Sequence, residues 1–217
     1  GDGEIGQICT EQTQFAGLVP VEIEENEVIR GEIIITNKMW KVFRKHNPTA
    51  KSQRNSATGL INGDYDESRV KDYHTLSIMP YEIMGSKLSK RKQLNKYFNF
   101  NYSYITNVDY LTEEFLFSLF KQWRKKFPID GIVIDVEEAK FRHGVEANGN
   151  PSYTIAYKHP SFSERKDGVI DRIERNINRN GIITPVVVLK EPVNISGADI
   201  QKISAINMRY VKDWGLY

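Results

Sequence analysis

The sequence predicts an α+β fold, a mixed and mostly antiparallel lobe followed by a second, all-β module, and three observations predict it. Residues 28–35, 73–83, 131–136 and 153–157 are short stretches, β-branched or alternating in polarity, with the length and period of strands. Between them lie helical segments at 87–97 and 112–127, the second with Leu116, Leu119, Phe120 and Trp123 along one stripe that belongs in a core. After Pro160 the pattern changes to short strands only, at 169–177 and 182–189 with turns at Asn180-Gly181 and Gly197, which places a module boundary near residue 163.

Each element has its own reason. Residues 28–35 read as a buried strand with polar groups, Arg30-Gly31-Glu32, at one end. Asn37 reads as the cap of a short helix with Trp40 and Phe43 on one side. Residues 47–64 are rich in Asn, Ser, Thr, Gly and Pro and read as a long loop, of the kind that inside a compact domain is functional or disordered. Thr112 reads as an N-cap, with Glu113 and Glu114 complementing the helix dipole in the first turn. The Asn-Gly-Asn stretch around residue 149 is the loop between the strands at 131–136 and 153–157. The final module supplies about two to three strands, fewer than the five of a small closed barrel.

Composition narrows the class. The 217 residues can bury a sizeable core, and no apolar run approaches the roughly 18 residues of a membrane span, so no membrane partner is expected. The opening Gly1-Asp2-Gly3 carries neither Met nor a signal-peptide pattern, which reads as a processed or excerpted piece of a longer chain. Cys9 is the one cysteine; it excludes an internal disulfide, lacks a partner for a zinc cluster, and reads as a small buried side chain in a reducing, cytoplasmic setting. The net charge of +2 does not by itself indicate nucleic acid. Lys41 to Lys45, Lys87 to Lys92 and Arg124 to Lys126 are basic, and Glu22 to Glu27 and Glu137-Glu138 acidic. Each cluster alone reads as a solvated helix face.

Four short motifs recur in order: Arg30-Gly31-Glu32; Arg54-Asn55-Ser56-Ala57-Thr58-Gly59; Asp130-Gly131-Ile132-Val133-Ile134; and Ile155-Ala156-Tyr157-Lys158-His159-Pro160. Singly each has a plain explanation, such as a strand-end ion pair, a turn or a surface lysine. Together they resemble the successive motifs of the NAD-dependent DNA ligases. The resemblance extends to Gly1-Asp2-Gly3 through Leu18-Val19-Pro20, and to Asn180 through Leu189, which looks like the GRTG-x-x-TPVA-x-L opening of that family's OB-fold. It implies a nucleotidyltransferase (adenylation) domain at 1–162, without its nucleophile segment, and a partial OB-fold at 163–217.

The resemblance also implies the chemistry. In the family a KxDG lysine attacks the AMP phosphorus of NAD and releases nicotinamide mononucleotide; AMP then passes to a DNA 5′-phosphate, and the 3′-hydroxyl displaces it to seal the nick. NAD and Mg²⁺ are the implied cofactors and nicked double-stranded DNA the implied partner. Glu32 would hold the nucleotide sugar or organise the metal environment, Asp130 would be a metal ligand, and Lys158 would place a point charge on phosphate, all three as catalytic residues. Arg54 would grip a strand phosphate.

The departures narrow the reading. KxDG does not occur in these residues, so the nucleophilic lysine is expected on another segment or a second polypeptide. Position 135, where the family carries a lysine, is Asp135, expected to lose or invert one phosphate contact. The second DNA-contacting arginine falls at Asn62, and Arg69 nearby is not counted on to replace it. The favoured reading is a divided ligase of phage type in a bacterial cell. A ligase-derived binding module without chemistry, and a piece of an ordinary ligase, are the alternatives.

Overall fold

The computed structural model describes residues 6–17, 23–97, 102–146, 150–159, 164–195 and 197–216. Gly1-Asp2-Gly3, Leu18 to Pro20, most of the loop around residue 149, and Pro160 lie outside them. The chain divides into two compact units, Gly1–Phe162 and Ser163–Tyr217. The architecture is α+β with small antiparallel sheets of two, two and three strands.

In the first unit, β1 (Ile29–Ile35) pairs antiparallel with β2 (Leu76–Ile83). β1 is not the fully buried strand expected: Arg30, Gly31 and Glu32 are exposed, and only Ile35 is fully buried. Side chains alternate across a strand, so Ile33 and Ile35 face the core while Arg30 and Glu32 face away. The core beneath joins Ile35 and Leu76 to Phe43, Ala57, Leu60 and Tyr73. Phe43 comes from α2 (Asn37–His46), and its cap is Thr36 rather than Asn37: the Thr36 hydroxyl accepts from the Met39 amide at 3.2 Å. Asn37 instead donates to the Arg124 carbonyl at 2.7 Å.

Residues 53–62 are helix, α3 (Gln53–Asn62), where a loop was expected. Ser52 caps it through the Asn55 amide, and Ala57 and Leu60 enter the core three residues apart on one face. Between α3 and β2 a single helical turn, α4 (Val70–Tyr73), supplies Tyr73. Ahead of β1, the four-residue helix α1 (Thr10–Thr13) leads to Gly17, which bridges Ser77 of β2.

α5 (Lys90–Tyr97) is fastened to the end of β2 by Gln93, which is wholly buried yet satisfied. Its amide oxygen accepts from the Ile83 amide at 3.0 Å and its NH₂ donates to the Leu88 carbonyl at 3.0 Å. α6 (Glu113–Arg124) begins at the expected cap, Thr112, whose hydroxyl accepts from the Phe115 amide. Its stripe is core: Phe120 and Ile132 are buried together, with Leu119, Trp123, Ile134 and Tyr157 packed around them. Ile132, Ile134 and Tyr157 belong to the hairpin of β3 (Ile132–Asp135) and β4 (Thr154–Tyr157).

The second unit is the sheet β5 (Ile170–Ile177), β6 (Ile183–Ile195) and β7 (Ala198–Ser204), in that order and antiparallel. β6 runs past the expected 189 because it pairs with β5 in its first half and continues against β7 beyond a register shift. α7 (Met208–Asp213) closes the unit, with Val211 buried against Val187, Leu189 and Ala205. Among the described residues no helix is long and apolar enough to cross a membrane.

Candidate nucleotide-binding site

Asp130 and Lys158 are separated by 28 residues and brought to one place by hairpin register. Ile132 pairs with Tyr157, so the residues flanking this pair emerge at the same end of the sheet. The Lys158 ammonium stands 3.1 Å from an Asp130 carboxylate oxygen. Gly131 permits the crossing: a Cβ there would fall 2.8 Å from the Tyr157 carbonyl oxygen and 3.0 Å from Lys158 Cγ. The side chains of Lys158 and Asp130 are 63% and 72% exposed, so the pair adds little stability and both groups stay open to a ligand. Alongside, His159 Nε2 lies 3.1 Å from a Glu113 carboxylate oxygen and tilts against Phe117, which ties this end of the hairpin to α6.

Glu32 stands on the outward face of β1, exposed and without a hydrogen bond or ion pair to the described residues. Its surroundings are set by an irregularity in β2. Arg30 pairs with Glu82 and Gly31 with Pro80, so Tyr81 is the extra residue of a bulge. Gly31 is needed for this, because a Cβ would come within 2.8 Å of the Met79 carbonyl oxygen and Pro80 Cα. Burial pushes the Tyr81 hydroxyl pKa up, against the lowering effect of Arg30, while the Glu32 and Glu82 charges add to the rise. The bulge thereby places the Tyr81 hydroxyl within electrostatic reach of Glu32.

Arg54 lies in the first turn of α3 and Asn62 is its last residue; both are exposed. Eight positions at 1.5 Å each separate them by about 12 Å along the axis, so the two occupy opposite ends of one helix. Arg69 lies 3.4 Å from an oxygen of the buried Asp72 and is thus engaged within the fold.

Asp135 does not leave an unpaired negative charge. It lies 2.7 Å from the Lys90 ammonium and 3.4 Å from Arg142 Nε. Arg142 also reaches Glu82 at 3.3 Å, and Glu82 pairs with Arg30 at 3.1 Å. This chain of charges joins β1 and β2 to β3 and α5. Lys90, read as part of a solvated basic face, is only 15% exposed in its side chain. Glu137 explains its placement: its carbonyl accepts from the Lys90 amide at 2.8 Å and its carboxylate from the Arg91 amide at 2.9 Å, so an acid just after β3 caps α5. Sequence reasoning missed Lys90, Glu82, Arg142 and Tyr81 as neighbours of the site. The only sequence signal was the acid at 135, which needs a cation within reach.

Cys9 is partly exposed rather than buried. Among the described residues no three His, Cys, Asp or Glu side chains converge to hold a metal.

Comparison with known proteins matches residues 1–162 to the NAD-dependent DNA ligase adenylation domain. The chain is 27% identical over 224 residues to a DNA ligase of Acanthamoeba polyphaga mimivirus, covering 98% of this chain and 33% of the relative. A Campylobacter hominis DNA ligase is 28% identical over 238 residues, covering 100% and 35%. A Thermosipho africanus DNA ligase is 30% identical over 237 residues, covering 98% and 34%. The chain thus spans about a third of the length of these curated relatives. With an adenylation-domain match over three quarters of its residues, the chain belongs to the NAD-dependent DNA ligase family.

Proposed function

We propose that this chain forms the AMP-handling part of an NAD-dependent DNA ligase, sealing nicks in duplex DNA through an AMP–DNA intermediate. The lysine that becomes adenylated comes from outside these 217 residues, on another segment or a second polypeptide. The observation that carries the reading is the Asp130–Lys158 pair, exposed at one end of the β3–β4 hairpin and 3.1 Å apart. Nucleotidyl transfer needs positioned cations and metal ligands about the phosphate, because negative charge builds on its oxygens. Lys158 is a mobile point charge suited to that task, and Asp130 is an oxygen donor beside it. Bound Mg²⁺ would neutralise phosphate charge there. Glu32, exposed and without a partner among the described residues, accepts hydrogen bonds from the nucleotide sugar. Arg54 grips a DNA phosphate from the exposed start of α3, and Asn62 adds a neutral contact at its other end. Residues 163–217 form the first strands of an OB-fold that lies along the duplex.

The test combines this chain with a polypeptide bearing the KxDG lysine, NAD, Mg²⁺ and nicked DNA. Sealing is expected, with the covalent AMP adduct on the added polypeptide alone by mass spectrometry. An adduct on a lysine of this chain overturns the reading. Asn62 in place of a cation also favours a second reading, a DNA-binding module without chemistry; salt-sensitive duplex binding with neither sealing nor adduct supports that instead.

A further inference from the structure

The charges around Asp135 do not cancel. Arg30, Lys90 and Arg142 supply three positive charges and Glu82 and Asp135 two negative ones, leaving one positive charge in excess. The position of that excess follows from the contacts. Arg142 is consumed by the fold: its side chain is 6% exposed, it touches both carboxylates, and it lies over the Tyr153 ring at 5.3 Å. Its link to Asp135 is loose, since Arg142 Nε and Asp135 Oδ1 lack the geometry of a hydrogen bond. Arg30 is committed to Glu82 at 3.1 Å. Among the described residues Lys90 has one close acceptor, the Asp135 carboxylate at 2.7 Å, while an ammonium has three N–H donors. Its other neighbour is the Tyr81 ring, 5.9 Å from the nitrogen to the centroid. That ring is itself 40% exposed, and its hydroxyl lies within electrostatic reach of Glu32.

A network this dry is a poor fastener, because desolvating each ion offsets most of the attraction, and apolar side chains of similar size serve as well. What it does achieve is to hold one ammonium, with donors to spare, over the half-exposed Tyr81 ring. We propose that Lys90 is a nucleotide-binding cation of this site and that Asp135 is its positioning residue. The charge expected on strand β3 at position 135 is carried instead by helix α5, across an ion pair with the strand. Lys90 donates to the acceptor atoms of an adenine nucleotide lying against Tyr81. This rests on the ligase reading above and assigns a role to two residues that its motifs leave out.

The test measures AMP-adduct formation in the reconstituted mixture as NAD is titrated. Lys90→Met is expected to raise KM for NAD about tenfold, the scale of one charge-assisted hydrogen bond, with kcat nearly unchanged. Asp135→Asn, which keeps the ammonium but frees it, raises KM less. Asp135→Lys alone is defective because it crowds Lys90 and Arg142, and adding Lys90→Asp restores KM to within about threefold of the parent, since the charge-assisted contact is regained. Unchanged KM in Lys90→Met, or no rescue in the interchange with thermal unfolding like the parent's, overturns this inference and leaves the ligase reading standing. Absence of any adduct with the parent chain overturns both.

Discussion

Gly131 shows how much one missing methyl group can matter. The β3–β4 register sends Lys158 directly across it, and a Cβ would meet a carbonyl oxygen at 2.8 Å. Gly131→Ala is expected to cost about 1–3 kcal/mol, the usual cost of overpacking, and to lower adduct formation further by pushing Lys158 off the phosphate; denaturant melts and adduct assays on the same preparation separate the two losses. Charge behaves similarly at Glu174 on β5. Its carboxyl pKa is held below the usual value first by Lys202 at 2.9 Å and then by Arg172 at 2.6 Å. A carboxylate whose folded pKa is depressed contributes stability above its unfolded pKa, near 4.3, and loses it as pH falls through the folded value. Glu174→Gln should therefore flatten the acid limb of the unfolding profile below about pH 4.5 and leave its neutral limb nearly parallel to the parent's. A profile unchanged in the acid limb would show that the pair is inert.

Among elements, legibility in the sequence followed whether a signal was local. Thr112 as cap and the Leu116–Phe120 stripe were readable because cap and core period lie within a dozen residues, and α6 formed as expected. α3 was read as loop because its Asn, Ser, Thr and Gly residues weaken the apolar period; burial of Ala57 and Leu60 against β1 overrides that propensity. Similarly, Asp130 and Lys158 were found through motifs, whereas Lys90 and Asp135 are 45 positions apart on a helix and a strand, a pairing that only tertiary structure reveals. The element that fixes Lys90 rests on a buried amide. Gln93→Leu leaves the Ile83 amide and the Leu88 carbonyl without partners, and a loss of about 1–3 kcal/mol is expected, with hydrogen exchange rising at the end of β2 before it does in α6. Equal exchange in both would mean that Gln93 is not the fastening.

For the whole molecule, membership of the ligase family sets the expectation that affinity for DNA comes from phosphates. On the proposed reading Arg54 contacts phosphate without reading sequence, so binding to nicked duplex should fall steeply with salt and vary little with sequence. Filter binding from low to moderate ionic strength checks this, and a flat response would remove Arg54 from the interface. The β3–β4 hairpin carries a different consequence. Among the described residues it is two-stranded, and Val133 and Ile155 are 69% and 68% exposed, so its outer edges offer main-chain donors and acceptors to an extended chain. With an isoelectric point near 8.5, electrostatic repulsion between copies is weakest in mildly alkaline buffer. Light scattering by this chain should therefore rise towards that pH and fall in acid, and a charged residue at Val133 should suppress it: the edge that builds the site also governs the colloidal behaviour of the protein.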